Sequence, residues 1–325
     1  MTAAEGIALK LPKEPQRQAF GKALAEYGQV NPEVVVLDAD VSSSTLTAYF
    51  GKRYPERFFN LGVTEASMVD VGVGLALDGK IPFVSTFAAL LTLRACEQIR
   101  TCVAYAEANV KLVGGYAGVS DYKDGPTHFA VNDIAILRSM PNMVVLAPAD
   151  NCETAGLVRV IAEYQGPVYM RISRASVADV FDAGYVPAIG KGVVLRPGRD
   201  VTLVGTGSMV GRCKLAAEQL AAAGIDVRLI SMASIKPIDQ ELLCQAAAET
   251  GAIVTAEDHS IIGGLAGAVA ETLSRSCPAF IEPVGLNDTF ARTGPDPETL
   301  MDAMGLSVQD IMMAVRRVLE RKNHI

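Results

Sequence analysis

Five short runs in the first half of the chain are apolar at nearly every position: Val34–Asp40, Ile81–Phe87, Val110–Gly115, Met143–Ala147 and Val168–Ser173. A strand with one wet face alternates apolar and polar residues, because successive side chains point to opposite faces. Runs without that alternation suit strands buried on both faces, as in a parallel sheet. Helical patterns lie between them, near 15–29, 65–79, 88–107, 131–140 and 151–164. Strands alternating with helices predict a parallel sheet covered by helices. The pattern pauses at 176–191, where Gly184, Pro187 and Gly190 interrupt it. A second series follows. Val201–Gly205, Val227–Ser231, Ala252–Ala256 and Phe280–Val284 read as strands, with helices near 209–223, 239–249, 263–275 and 307–321. The expected fold class is α/β, with two domains, each a mainly parallel sheet covered by helices. The expected division is 1–180 and 181–325.

The 325 residues suffice for two such domains, and half of them are apolar. A net charge of −7 argues against a nucleic-acid surface, which needs a basic stripe. No run reaches the ~18 apolar residues of a membrane span, and Met1–Pro15 has no apolar signal-peptide core. Cys96, Cys102, Cys152, Cys213, Cys244 and Cys277 form no CxxC and stand near no His at metal-ligand spacing. They read as small buried thiols in a reducing cytoplasm.

Three segments carry chemistry. Glu65 is the carboxylate at the mouth of an apolar helix, within LGVTEASM. The helix is apolar nearly all round and is expected to be buried. Two readings stay open for Glu65: a functional acid, or a helix-start carboxylate held by backbone N–H groups. Asp124–His128 (DGPTH) puts an acid and an imidazole around a turn, and His128 is one of three histidines. It suits hydrogen bonding to a substrate hydroxyl or proton movement, and equally an ordinary loop His. Glu257–Gly264 (EDHSIIGG) reads as a loop between strand and helix. Gly205–Gly207 (GTG) hints at a phosphate turn but lacks the third Gly of a dinucleotide fingerprint.

Seven blocks, in this order, resemble the C-terminal half of transketolases: LDADVSSSTLT (37–47), NLGVTEASM (60–68), FVSTFAAL (83–90), RACEQIR (94–100), DGPTH (124–128), RSMPNMVVLAPAD (138–150) and TAEDHSIIGGL (255–265). The likeness runs from about Arg17 to the C-terminal helix. It implies a pyrimidine-binding domain followed by a transketolase C-terminal domain, and thiamine diphosphate as cofactor. Glu65 matches the glutamate that bonds the aminopyrimidine and promotes loss of the thiazolium proton. Phe87 and Leu90 match the apolar wall around that ring, and Asp40 an acid near the cofactor. Asp124 and His128 match groups near the donor hydroxyls. Arg17, Ser44 and Arg174 match positions that grip a sugar phosphate, where guanidinium forks donate paired hydrogen bonds.

The departures bear on substrate. Leu90 stands where the family commonly has Phe, Tyr116 where it has His, and Lys123 where an acid is common. An unusual anionic ketose, phosphorylated or sulfonated, is therefore expected. The family's magnesium- and diphosphate-binding GDG motif, with an Asn roughly 25–30 residues on, does not occur. The Mg2+ ligands and diphosphate cradle are expected on a partner chain, an N-terminal transketolase subunit, in a two-plus-two heterotetramer. No metal site is expected on this chain. The alternatives are the β subunit of a 2-oxo acid decarboxylating dehydrogenase complex and a non-catalytic stabilising subunit.

Overall fold

The computed structural model describes residues 14–324. Six strands come from the first part of the chain: β1 (Val34–Asp38), β2 (Phe58–Asn60), β3 (Ile81–Phe87), β4 (Lys111–Gly115), β5 (Val144–Leu146) and β6 (Val168–Arg171). Six come from the second: β7 (Val193–Arg196), β8 (Val201–Gly205), β9 (Val227–Ser231), β10 (Ser234–Lys236), β11 (Ala252–Ser260) and β12 (Phe280–Leu286). The helices of the first part are α1 (Gln16–Val30), α2 (Ser42–Thr45), α3 (Ala48–Arg53), α4 (Glu65–Leu77), α5 (Ala88–Arg94), α6 (Cys96–Gln98), α7 (Asp133–Arg138) and α8 (Asn151–Glu163). Those of the second are α9 (Met209–Ala222), α10 (Gln240–Thr250), α11 (Leu265–Ser276), α12 (Pro297–Ala303) and α13 (Val308–Asn323).

These strands form two sheets, ordered β10-β5-β6-β4-β3-β1-β2 and β12-β11-β8-β9-β7. All pairings are parallel except β10 with β5 and β7 with β9. The unalternating runs are explained by two helical layers. Val34, Val36, Phe83, Val113, Val168 and Met170 face Phe20 and Leu24 of α1 and Leu157 and Ile161 of α8. Val35, Leu37, Val84, Leu112 and Tyr169 face the other way, onto Met68, Leu91 and Ile99. Each such side chain removed from water contributes about 1.5–3 kcal/mol.

The two domains are not cut cleanly in sequence. β10 follows β9 after two residues and crosses to the edge of the first sheet. Nothing in Ser234–Lys236 reads as an apolar run, so the sequence reading missed it.

Four expectations need correction. The helix bearing Glu65 is not buried all round: Val71 is 42% and Leu77 81% exposed. Its apolar character serves a surface that this chain leaves uncovered. The 88–107 helix is broken after Arg94, and a π-helical turn spans Ile99–Tyr105. The EDHS segment is not a loop, because β11 runs through it. The cysteines are not all buried thiols. Cys213 is buried, Cys96, Cys102 and Cys152 are half-buried, and Cys244 and Cys277 form a disulfide between α10 and the end of α11. A separation of 33 residues leaves no local sequence signal for that bridge.

Candidate active site

Ligands in open α/β sheets bind outside the carboxyl ends of the strands. That edge of the first sheet gathers most of the residues singled out above. Phe87 ends β3 and Tyr116 follows β4, so their rings meet with centroids 4.2 Å apart. Tyr116 is 4% exposed and adopts a left-handed backbone, φ 61°. The His128 ring stands edge-on to Phe87 at 6.0 Å. The turn before it closes with the His128 N–H donating to Gly125 O at 2.9 Å.

Two arginines bracket Tyr116. Arg17, in the first turn of α1, donates through Nη1 to Tyr116 Oη (3.2 Å) and to the Ser44 carbonyl oxygen (2.8 Å). Arg174, just past β6, lies 5.2 Å from the Tyr116 ring centroid. Its Nη1 is 3.0 Å from Asp121 Oδ1. Asp121 is fully buried. Burial, then the neighbouring Asp124 carboxyl, pushes its pKa up to about 7, with Arg174 opposing. The arginines open onto a cavity of about 410 Å³ lined also by Ser120, Tyr122, Ser176 and Glu298. A larger cavity, about 810 Å³, lies between β12 and α12 and includes none of these side chains.

Glu65 occupies the start of α4 and is 4% exposed. Arg94, at the end of α5, donates to its Oε1 at 3.0 Å. Oε2 has no hydrogen-bond partner among the described residues. Leu90, half-buried, sits one turn before Arg94 on α5, and Phe87 immediately precedes that helix. Glu65, Arg94, Leu90 and Phe87 thus line one helix pair.

Asp40 is exposed, with φ 65°, and accepts from Asn60 Nδ2 at 2.9 Å. Lys123 and Asp124 are exposed, the former over the Tyr122 ring. The contacts that join Arg17, Ser44, Phe87, Tyr116, His128 and Arg174 reach Lys123 only through the Tyr122 ring, which Arg174 and Lys123 share, and do not reach Asp40. Sequence reasoning missed Asp121 and Arg94. Arg94 lies in the RACEQIR block, whereas nothing in SDYKD marks Asp121 as buried. Among the described residues no group of three or more His, Cys, Asp or Glu side chains could hold a metal ion, and no helix is long and apolar enough to cross a membrane.

Residues 15–179 match the transketolase pyrimidine-binding domain, and residues 190–311 the transketolase C-terminal domain. The chain belongs to the transketolase family. A putative transketolase C-terminal section of Methanocaldococcus jannaschii is 43% identical, over 94% of this chain and 95% of that one. A 6-deoxy-6-sulfo-D-fructose transketolase subunit of Clostridium sp. (strain MSTE9) is 38% identical, over 97% of this chain and 98% of that one. Among solved structures, a split gene transketolase described as an inactive beta4 tetramer superposes with a TM-score of 0.88. It is 46% identical, covering 94% of this chain and 98% of that one. The pyrimidine-binding match of this transketolase-family chain contains every residue of the candidate site except Pro297 and Glu298, which line its cavity from the second domain.

Proposed function

We propose that this chain is the C-terminal subunit of a two-chain, thiamine-diphosphate-dependent transketolase, divided near residue 180 into pyrimidine-binding and C-terminal domains. The observation that carries the reading is Glu65: a nearly buried carboxylate at a helix start, held through one oxygen by Arg94 of α5, the helix that carries Leu90 and follows Phe87. These residues fit an aminopyrimidine, which needs one carboxyl partner and an apolar wall. When bound, the cofactor supplies the nucleophilic carbon for ketol transfer. Glu65 would hold a proton at the pyrimidine nitrogen, with Arg94 fixing its orientation. Phe87 and Leu90 would exclude water, and Asp40 would stand at the cofactor rim. His128 and Asp124 would bind donor hydroxyls, and His128 would accept the proton of the hydroxyl whose carbon leaves as an aldehyde and return one when the new carbon–carbon bond forms.

The need for a second chain is supported by exposed apolar side chains before, along and beside α4: Val63, Val71, Leu77 and Leu93. Large apolar side chains left exposed on neighbouring helices suit an interaction site. We assign it to an N-terminal subunit that brings the Mg2+ ligands and diphosphate cradle, in a two-plus-two heterotetramer. The tetramer named for the split-gene relative suits an alternative use of the same surface when the partner is lacking.

The substrate is a ketose with an anionic tail, donating two carbons to an aldose. Arg17, Arg174 and Ser44 supply the grip, but the Tyr116 phenol stands between the guanidinium groups. A long linear phosphate meets that ring, whereas a sulfonate or a branched sugar phosphate presents a different outline. Lys123 adds a cation at the rim. The sulfonated sugar in one relative's name agrees with this reading. The test is kcat/KM of the reconstituted pair on sulfonated, branched and deoxy ketoses beside xylulose 5-phosphate, with oxidation of 2-oxo acids as control. Sulfonated or branched donors are expected to lead. Xylulose 5-phosphate leading by a wide margin, with ribose 5-phosphate as best acceptor, would overturn the substrate assignment. Turnover of 2-oxo acids alone would overturn the reaction.

A further inference from the structure

The segment 116–131, from Tyr116 through Asp121 and Asp124 to His128, is shaped largely by the second domain. Its apolar anchors Val119, Phe129 and Val131 pack among Val201 and Leu203 of β8 and Met209 of α9, in the core of the second domain. The Gly294 N–H donates to Tyr122 O at 2.9 Å, and the Ser260 N–H to Val131 O at 2.8 Å. At the base of the segment lies a buried ion cluster. Arg171, at the end of β6, is 3% exposed. It donates through Nη1 to Asp258 Oδ1 of β11 (3.1 Å) and through Nη2 to the Ala130 carbonyl oxygen (3.0 Å). Its Nε lies 3.1 Å from Asp133 Oδ2, which also accepts from the Tyr169 hydroxyl at 2.6 Å.

Ala130 is two residues from His128, and its carbonyl oxygen also takes the Gly118 N–H at 3.0 Å. Asp258 is pressed against the same turn. A Cβ on Gly118 would lie 2.1 Å from Asp258 Oδ2, so only glycine fits there. The carboxylate therefore braces one arm of the segment directly and the other through Arg171. Buried ion clusters contribute little net stability, because desolvation offsets the attraction. In some systems such clusters fix geometry instead, and a charge with three fixed partners tolerates few other arrangements.

We propose that Asp258 is a positioning residue for ketol transfer. Through Arg171 it fixes the Ala130 end of the segment, and so the His128 imidazole against Phe87. The second domain thereby acts as the template of a substrate-facing loop carried by the first. The proposal rests on the reading that His128 meets the donor ketose.

The test is a double-mutant cycle on kcat/KM in the reconstituted two-chain enzyme, with thermal unfolding measured in parallel. Asp258→Asn is expected to lower kcat/KM roughly 10–100-fold, the scale of a misplaced reacting group. In the His128→Ala background the same substitution should have almost no further effect, because the positioned group is gone. A merely structural role would instead multiply the two losses, and that result overturns the proposal. So does an Asp258→Asn enzyme of unchanged kcat/KM. If Asp258→Asn does not fold, Arg171→Lys takes its place in the cycle, since it keeps a cation but loses the fork that reaches Ala130. The same two outcomes then decide. If His128→Ala alone leaves turnover unchanged, the substrate reading of His128 falls and the proposal with it. If His128→Ala is damaging but the cycle is multiplicative, only the positioning role falls.

Discussion

At the scale of single residues, two carboxyl groups make opposite demands on their surroundings. In its proposed role Glu65 needs a shareable proton, so Glu65→Gln should preserve the fold and lower kcat of the reconstituted enzyme by ~10²–10⁴-fold, the range of a positioned acid or base. Circular dichroism should be unchanged, and near-normal turnover would remove Glu65 from the assigned role. Asp121 is buried beside Asp124, and its pKa is raised from 3.8 to about 7. The folded chain thus binds a proton there that the unfolded chain has released. Stability from this group is full below about pH 4 and is lost as pH rises toward 7 and beyond. Asp121→Asn keeps a neutral polar group and cannot titrate. Urea unfolding at pH 5 and pH 7.5 should show a smaller fall in stability for the variant than for the parent chain. An identical fall in both would mean that Asp121 does not titrate in this window. As candidates, Glu65 and His128 stood out by residue type with a structural reading still open, and Arg17 and Arg174 only through the family resemblance. Asp121 and Asp258 were not, because their roles come from burial against elements far away in sequence.

At the scale of elements, legibility followed hydrophobic pattern. β3, β8 and β9 fall on the expected residues, because their runs are apolar on both faces. β7 and β10 were missed, and each is an antiparallel edge strand with a mixed pattern. α12 was missed although its signal is present: Asp296 caps the Thr299 N–H and Pro297 occupies the first turn. α4 was found, but its surroundings were misjudged. Pattern tells that a face avoids water and does not tell whether the covering comes from this chain or another. Val71 and Leu77 are exposed, so Val71→Asp and Leu77→Asp should leave the thermal midpoint of the isolated chain nearly unchanged, within about 0.5 kcal/mol of stability. At an interface core the same charges are left desolvated and unpaired. Affinity for the partner chain, followed by calorimetric titration, should fall at least ~10-fold. Unchanged affinity would place the partner elsewhere.

At the scale of the whole molecule, the proposed function makes the candidate site half of a container. Glu65 is held by Arg94 of α5, the helix that carries Leu90 and follows Phe87, and α4 leaves Val71 and Leu77 open to water. An aminopyrimidine docked there gains one hydrogen bond to a charged group, about 1.5–3 kcal/mol net, and partial apolar contact. Together these come to roughly 4 kcal/mol, which corresponds to a Kd of about 1 mM. The diphosphate of the cofactor, with its metal, finds no cluster of ligands among the described residues. The isolated chain should therefore bind thiamine diphosphate no better than about millimolar and transfer no ketol units. Adding the partner chain should bring saturable binding and turnover together, since one interface closes both the pyrimidine and the diphosphate ends. Calorimetry and a coupled ketol-transfer assay, run on each chain and on the mixture, check this directly. Binding that tightens without turnover would locate the cofactor between the chains but leave the substrate side incomplete. Micromolar binding or robust turnover by the single purified chain would show that the container is already whole, and the two-chain assignment would fail.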